Sequence, residues 1–441
     1  MKEKIEFKGY WWIPSNPKVK LAGTLKYIPN QKIILELIGD LDSDKNPITA
    51  LLDYNTENII HGFTSDSKEI TLVNCYPSGS VNFSCFFPII RYSCKLMLIG
   101  KHIHSFNQKC FYKALITIPE LTYWRPPNSL DTSIKSNDKD RVELISLSFE
   151  IASKIIDDTQ IDNNTRLIIK GGVDYNQNQS SAKIEQKTSL EIHKDSDVSF
   201  EDFLSDIYMF EEFLSLATLQ TTKSTRILLF DKTIFQELEK DEKYYHAIEI
   251  IYIQNSTESS DLNNHNFLFS YGSIASQYSQ VIQKWYRDKD EIAPIRTHLI
   301  DSIKGKQSFS SIDFLIVIQA IEGFWWRFRD ENYKRVNKSS SKYKTNLKTI
   351  LHELINEFNS IGKIKVLDLD IQSIVDSRHY YSHFMSKANK PYALDGFELY
   401  YSTNKLRNIL ICCVLHFIGF EYLQIDEILN HTRNNLLTKH D

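Results

Sequence analysis

The sequence predicts an α+β multidomain chain, with a β-rich N-terminal half of antiparallel sandwich or barrel type followed by an all-helical bundle. Three observations carry this reading. In the first half, apolar residues alternate with period two over short runs, as half-buried strands require. Beyond Asn266 the apolar period becomes that of a helix. Between the two regimes, Asn255 to Asn266 is uniformly polar and has nothing to bury. Sheet first and helices afterwards is the order of two unlike modules rather than of one α/β fold. The expected domains are therefore residues 1–262 and 263–441, with a subdivision point near 126–140.

The elements follow in chain order. Ile33, Leu35 and Leu37 alternate with Ile34, Glu36 and Ile38, and Gly39 closes the run. Tyr92, Cys94, Leu96 and Leu98 share one face of the next strand. Ala114 to Ile118, Ile145 to Ile151 and Arg226 to Phe230 are further short runs. Pro126 to Asp140 is polar and Pro-led, which predicts a loop. One helix interrupts the strands. Ser199 and Asp202 form an acidic capping box, and Phe203, Leu204, Ile207, Phe210, Phe213 and Leu214 then keep helical spacing, which reads as core packing. In the second half helices are expected over Ser273–Arg287, Glu291–Ile300, Ser311–Asp330, Ser341–Phe358, Leu367–Met385 and Glu398–Phe420, with Gly419 as a stop signal.

Composition narrows the function. The chain has 441 residues, 42% hydrophobic and 24% charged, as a globular protein has and a disordered or collagen-like one does not. Lys and Arg number 52 against 56 Asp and Glu, so any nucleic-acid site is local rather than a basic coat over the whole chain. The six cysteines form no C-x-x-C pair, which argues against a zinc ribbon. They read as small buried hydrophobes of a reducing compartment. The longest apolar run, Ile409 to Phe420, is interrupted by His416 and is too short to span a bilayer. Met1 to Lys8 has no apolar signal core. A soluble cytoplasmic protein without membrane contact is expected.

Phosphate-cradling glycine loops, zinc-protease helices and nucleophile elbows are absent from the sequence. One segment carries chemistry: Asp376-Ser377-Arg378-His379-Tyr380-Tyr381-Ser382-His383. His379 and His383 are four apart and share a helical face, and Arg378 can reach the same side. A guanidinium offers a two-pronged fork to a phosphate, and imidazole moves protons near neutral pH. This suits phosphodiester cleavage in RNA, whose 2′-hydroxyl is an internal nucleophile, so no cofactor or metal is needed. The products would be a 2′,3′-cyclic phosphate and a 5′-hydroxyl. Two other readings stay open. His379 and His383 can form a metal pair, with Asp376 as the nearest third ligand, or the residues can be a chance arrangement. Arg327, Arg329, Lys334, Arg335, Lys338, Lys342, Lys344 and Lys348 give eight basic residues against the acids Asp330 and Glu331. Tyr333 and Tyr343 are interleaved with them as stacking platforms. The stretch reads either as a solvated face or as an RNA phosphate contact.

Arg378-x4-His383 resembles the R-x4-6-H motif of HEPN domains. Phe314-Leu315-Ile316-Val317-Ile318-Gln319-Ala320-Ile321-Glu322 resembles the helix that lies against the motif helix in that group, and Leu406 to Gly419 resembles its late helix. Gly9-Tyr10-Trp11-Trp12-Ile13-Pro14, Ala22-Gly23-Thr24-Leu25 and Leu35-Glu36-Leu37-Ile38-Gly39 resemble the N-terminal signature of the ApeA family of bacterial anti-phage proteins. The resemblance covers nearly the whole chain. It implies a metal-independent endoribonuclease in abortive phage defence, with Arg378 and His383 as catalytic pair and His379 and Glu322 in support. It also implies a homodimer that brings two motifs into one cleft. Transfer RNA is the first substrate to consider, by analogy only, and a phage-derived trigger is expected. Such toxins controlled by a partner nucleotidyltransferase often carry Tyr two residues after the motif His. Met385 stands there, which argues against that control. The alternative is a non-catalytic HEPN protein that binds RNA or a partner.

Overall fold

The computed structural model describes residues 4–29, 31–39, 41, 59–78, 89–136, 141–239, 242–253, 267–305, 310–329, 346–359 and 369–431. The chain forms two compact units. Met1–Thr122, Pro126–Met209 and Lys223–Ser260 make the first, and Tyr123–Arg125, Phe210–Thr222 and Asp261–Asp441 the second. The polar run Asn255 to Asn266 lies outside the described residues.

The first unit is β-rich and antiparallel, as expected. Its strands are β1 (Ile5–Trp12), β2 (Leu21–Ile28), β3 (Lys32–Ile38), β4 (Ile60–Thr64), β5 (Glu69–Pro77), β6 (Ile89–Ile99) and β7 (Phe111–Thr117). These are followed by β8 (Leu130–Ser136), β9 (Val142–Phe149), β10 (Lys154–Gln160), β11 (Thr165–Gln177), β12 (Ala182–Val198), β13 (Arg226–Glu237) and β14 (Lys243–Tyr252). The order β6-β3-β2-β1-β4-β5 closes on itself, because β5 also pairs with β6. This is a six-stranded barrel, and closure removes the free edges that an open sheet would expose. From β6 the sheet continues through β14, β13, β7, β12 and β11 to β10.

Trp11, Leu25, Leu35, Leu37, Ile70 and Met97 fill the barrel. On β3 the burial alternates, with Ile33, Leu35 and Leu37 buried and Ile34 and Glu36 half-buried between them, which is why the sequence alternates there. Gly62 has a steric reason. A Cβ on it would stand 2.2 Å from the Trp11 ring, so β4 can approach the indole only without a side chain. Cys75 and Cys94 are paired residues of β5 and β6, buried as free thiols, like Cys412 and Cys413. Burial pushes the Cys75 thiol well up, so it packs as a small hydrophobe.

The loop expected over Pro126–Asp140 is corrected. Leu130–Ser136 is a strand paired with Val142–Phe149 in a separate two-stranded sheet. Its period is present but muted, because Leu130, Thr132 and Ile134 alternate with Asp131, Ser133 and Lys135 on a ribbon that stays largely exposed. Residues 137–140 lie outside the description.

The helices are α1 (Pro119–Trp124), α2 (Phe200–Thr218), α3 (Tyr271–Ile274), α4 (Tyr278–Arg287) and α5 (Lys289–Lys304). After them come α6 (Ser311–Phe328), α7 (Leu347–Asn359), α8 (Ile371–His383), α9 (Gly396–Phe417) and α10 (Tyr422–His431). The capping box of α2 is formed as predicted. Ser199 N–H donates to Asp202 Oδ2 at 2.9 Å, and Asp202 N–H donates back to Ser199 Oγ at 3.3 Å. The single helix expected over Ser273–Arg287 is two, α3 and α4, with a break at 275–277.

The second unit is helical and buries Trp124, whose Nε1 donates to the Phe269 carbonyl at 2.9 Å. Helix α9 ends at Phe417, a turn short of the expected Phe420. Gly419 (φ 109°) follows, and its N–H donates to His416 O while Phe420 N–H donates to Leu415 O. That pair of bonds is the Schellman stop, which needs a left-handed residue. Among the described residues no helix is long and apolar enough to cross a membrane.

Candidate active site

The site is built on α8. Asp370 caps this helix, its carboxylate accepting from the N–H groups of Gln372 and Ser373. Ile374 and Ser377 turn into the bundle and are fully buried. Arg378 and His383 emerge on the other side, at the last turn. Arg378 Nη1 lies 3.1 Å from His383 Nε2. Arginine has donors only, so Nε2 must be the acceptor. A hydrogen bond in this contact requires the His383 tautomer that carries its proton on Nδ1. Glu322, on α6, reaches the other prong, with Oε2 3.6 Å from Arg378 Nη2. The guanidinium is thus held by a carboxylate from a neighbouring helix and by the imidazole one turn on.

His379 is the second imidazole. Its ring lies 5.9 Å from that of His383, at 30°, so the two do share a face. Burial, and then the charges of Lys390, Arg378 and His383, push the His379 pKa below its ordinary value. Its Nδ1 is buried and has no hydrogen-bond partner. Both features disfavour the charged form of His379. Asp376, the nearest carboxylate in the sequence, is buried and engaged by Lys390 Nζ and Gln372 Nε2, both at 3.2 Å. Among the described residues no group of three or more His, Cys, Asp or Glu is arranged to hold a metal ion.

The segment after the helix is fastened to it. Leu394 N–H donates to Ser377 Oγ at 2.8 Å, and the Leu394 carbonyl accepts from Tyr381 OH at 3.0 Å. With Lys390 on Asp376, three side chains of α8 hold residues 384–395 beside the motif. Sequence reading missed this fastening, because the pairs are 13 to 17 residues apart and nothing local marks them. A cavity lined by Ser310, Asp313, Tyr381 and Thr403 lies close by. Arg378, His379 and His383 do not line it; Arg378 and His379 are half-buried and His383 is exposed.

The predicted RNA contacts are divided. Arg327 donates to the Glu291 carbonyl, and Arg329 pairs with Glu357 at 2.7 Å. Both cations also serve the packing of the unit. Lys334, Arg335, Lys338, Lys342 and Lys344, with Tyr333 and Tyr343, lie outside the described residues. Lys348 is exposed at the start of α7. A further buried cation, Arg407 on α9, donates to Ser302 Oγ at 2.8 Å and pairs with Asp313 Oδ2 at 2.7 Å.

Comparison with known families gives two matches. A model described as ApeA N-terminal domain 1 matches residues 6–285. A model described as Apea-like HEPN matches residues 315–424, which include Glu322, Arg378 and His383. No curated protein and no solved structure matches the chain.

Proposed function

The chain belongs to the ApeA family, and from that premise we propose that it is a HEPN-type endoribonuclease acting in abortive anti-phage defence. The observation that carries the reading is the Arg378–His383 contact, 3.1 Å between Nη1 and Nε2, inside the part of the chain that is similar to a nuclease-type domain family. In this mechanism the RNA 2′-oxygen attacks the adjacent phosphorus and gives up its proton to a base. The bond from phosphorus to the 5′-oxygen breaks, and that oxygen takes a proton from an acid. His383 serves one of these transfers. Arg378 donates to the non-bridging oxygens, whose charge grows in the transition state.

One motif sets one exposed imidazole, His383, beside the guanidinium, so a homodimer with two motifs in one cleft would supply the second proton carrier. Two such imidazoles would titrate as a coupled set. Glu322 orients Arg378, and His379 backs His383. The basic stretch from Arg327 to Lys344 contributes phosphate contacts, each raising the salt dependence of binding by a log–log slope of about 0.7 on a single strand. Transfer RNA is the first substrate to test, and the protein works in the cytoplasm, where that RNA is.

The test is cleavage of purified transfer RNA and of total RNA by the whole protein and by its Arg378→Ala and His383→Ala variants, in EDTA. The reading predicts cleavage by the parent and a loss on the order of 10²–10⁴ in each variant, with helicity unchanged. Cleavage only with added divalent metal would favour a metal pair at His379 and His383. RNA binding without cleavage would make the chain a binding protein.

A further inference from the structure

Phe384 follows the motif histidine, and its conformation is unusual. It has φ 52° and ψ 37°, the left-handed region that bulky residues rarely occupy. Glycine is the ordinary residue at this place after a helix. Its side chain is 92% exposed, more than any other large apolar residue among those described. A phenyl ring held fully in water by a strained backbone gains nothing for the fold. Such strain persists where the surroundings impose it, and it concentrates at functional sites.

The surroundings impose it here. Ser377 and Tyr381 clamp both backbone groups of Leu394, and Lys390 is tied to Asp376. The chain must therefore turn sharply at residue 384 to return along α8. The same returning segment leaves Tyr392 64% exposed, and it carries Lys387, which pairs with Asp395. An exposed ring thus directly follows His383 in the chain, and His383 touches the Arg378 guanidinium. Phosphate handled by cations with a base laid on an adjacent ring is how proteins hold single-stranded RNA.

We propose that Phe384 is the stacking platform for a nucleobase next to the scissile phosphate, so that the site takes unpaired RNA. This rests on the ribonuclease reading and deepens it. The αL turn sets the ring immediately beyond His383, and one nucleotide separates a phosphate from the neighbouring base. A stacked base would anchor the strand while Arg378 and His383 act on its backbone, which converts binding energy into positioning. A helical duplex cannot offer a free base face, so loops and single strands would be preferred.

The test uses the whole protein with labelled 2′-O-methyl RNA of mixed sequence, which keeps bases and phosphates but lacks the attacking hydroxyl. The same strand with abasic sugars is the control. Phe384→Gly is the informative variant, because glycine accepts this backbone without strain and removes only the ring. Binding of the base-bearing strand should weaken roughly 5- to 150-fold, the loss expected of one stacked base. Binding of the abasic strand should not change, and Phe384→Trp should restore the affinity. If Phe384→Gly binds both strands as the parent does, or instead converts a dimer to monomers in a mass measurement, the platform is disproved while cleavage by the parent still stands. If the folded parent neither binds nor cleaves any RNA, the ribonuclease reading falls and the platform with it.

Discussion

Glu322 and Arg378 stand on separate helices and meet as an ion pair, 3.6 Å between Oε2 and Nη2. Their side chains are 13% and 29% exposed. The effect of the pair is directional. A guanidinium is a planar fork, and fixing one prong on Glu322 leaves the other aimed at His383.

Under the ribonuclease proposal Glu322 is a positioning residue. Glu322→Gln should lower the single-turnover rate on RNA on the order of 10- to 100-fold, the scale of a misplaced catalytic group. RNA affinity should hold within a few-fold, and Glu322→Asp should recover part of the rate. An equal fall in affinity and rate would assign Glu322 to RNA binding instead.

A second prediction concerns Arg407, buried on α9 with Asp313 as its ion partner. Asp313→Ala would leave a cation stranded in the core, which typically costs about 3–5 kcal/mol. Arg407→Met with Asp313→Leu removes both charges and should cost much less than the two single changes added. Urea unfolding of the helical unit followed by tryptophan fluorescence decides between coupling and independence.

The barrel has its own pH signature. His61 donates from Nε2 to the Ile103 carbonyl at 2.7 Å and stacks on His102 with ring centres 4.4 Å apart. Burial, with smaller contributions from His102 and His104, lowers its pKa from 6.5 to about 4, against the raising effect of the Ile103 carbonyl. The unfolded chain therefore takes up a proton between those two values that the folded barrel refuses. Stability contributed by this site is complete above about 6.5 and is lost as pH falls toward about 4. The loss is on the order of 3 kcal/mol. Thermal unfolding across that range should show the slope, and His61→Gln should flatten it. An unchanged slope would place the titration elsewhere.

Gly419 tests the helix stop. A Cβ there would meet no atom within 4 Å, so Gly419→Ala changes only the backbone preference at φ 109°. A loss of about 1–2 kcal/mol is expected. No loss in chemical unfolding would mean that α9 ends by another device.

What could be read from the sequence was local. Ser199 and Asp202 are three apart and cap α2 as predicted. Gly419 could be recognised as a stop, and Arg378 and His383 fall within one helix, where the long Arg side chain spans the roughly 140° between their positions. Distant partners left no such mark. The closing pair β5–β6 depends on how six strands wrap, not on any one of them. Ile145 to Ile151 already marked β9, but its partner β8 was hidden by Asp131, Ser133 and Lys135, whose polarity resembles a loop. The Lys390–Asp376 tie and the left-handed turn at Phe384 arise only once the segment after α8 folds back.

The most direct measurement is the chemistry of the ends made on a defined RNA strand. The strand is cut by the whole protein in EDTA and compared with the same strand carrying a single 2′-deoxy sugar at the cut site. The account predicts a 2′,3′-cyclic phosphate and a 5′-hydroxyl from the first, no cut at the deoxy position in the second, and neither product from folded His383→Ala. Ends bearing a 5′-phosphate, cleavage at the deoxy sugar, or undiminished cutting by His383→Ala would contradict it.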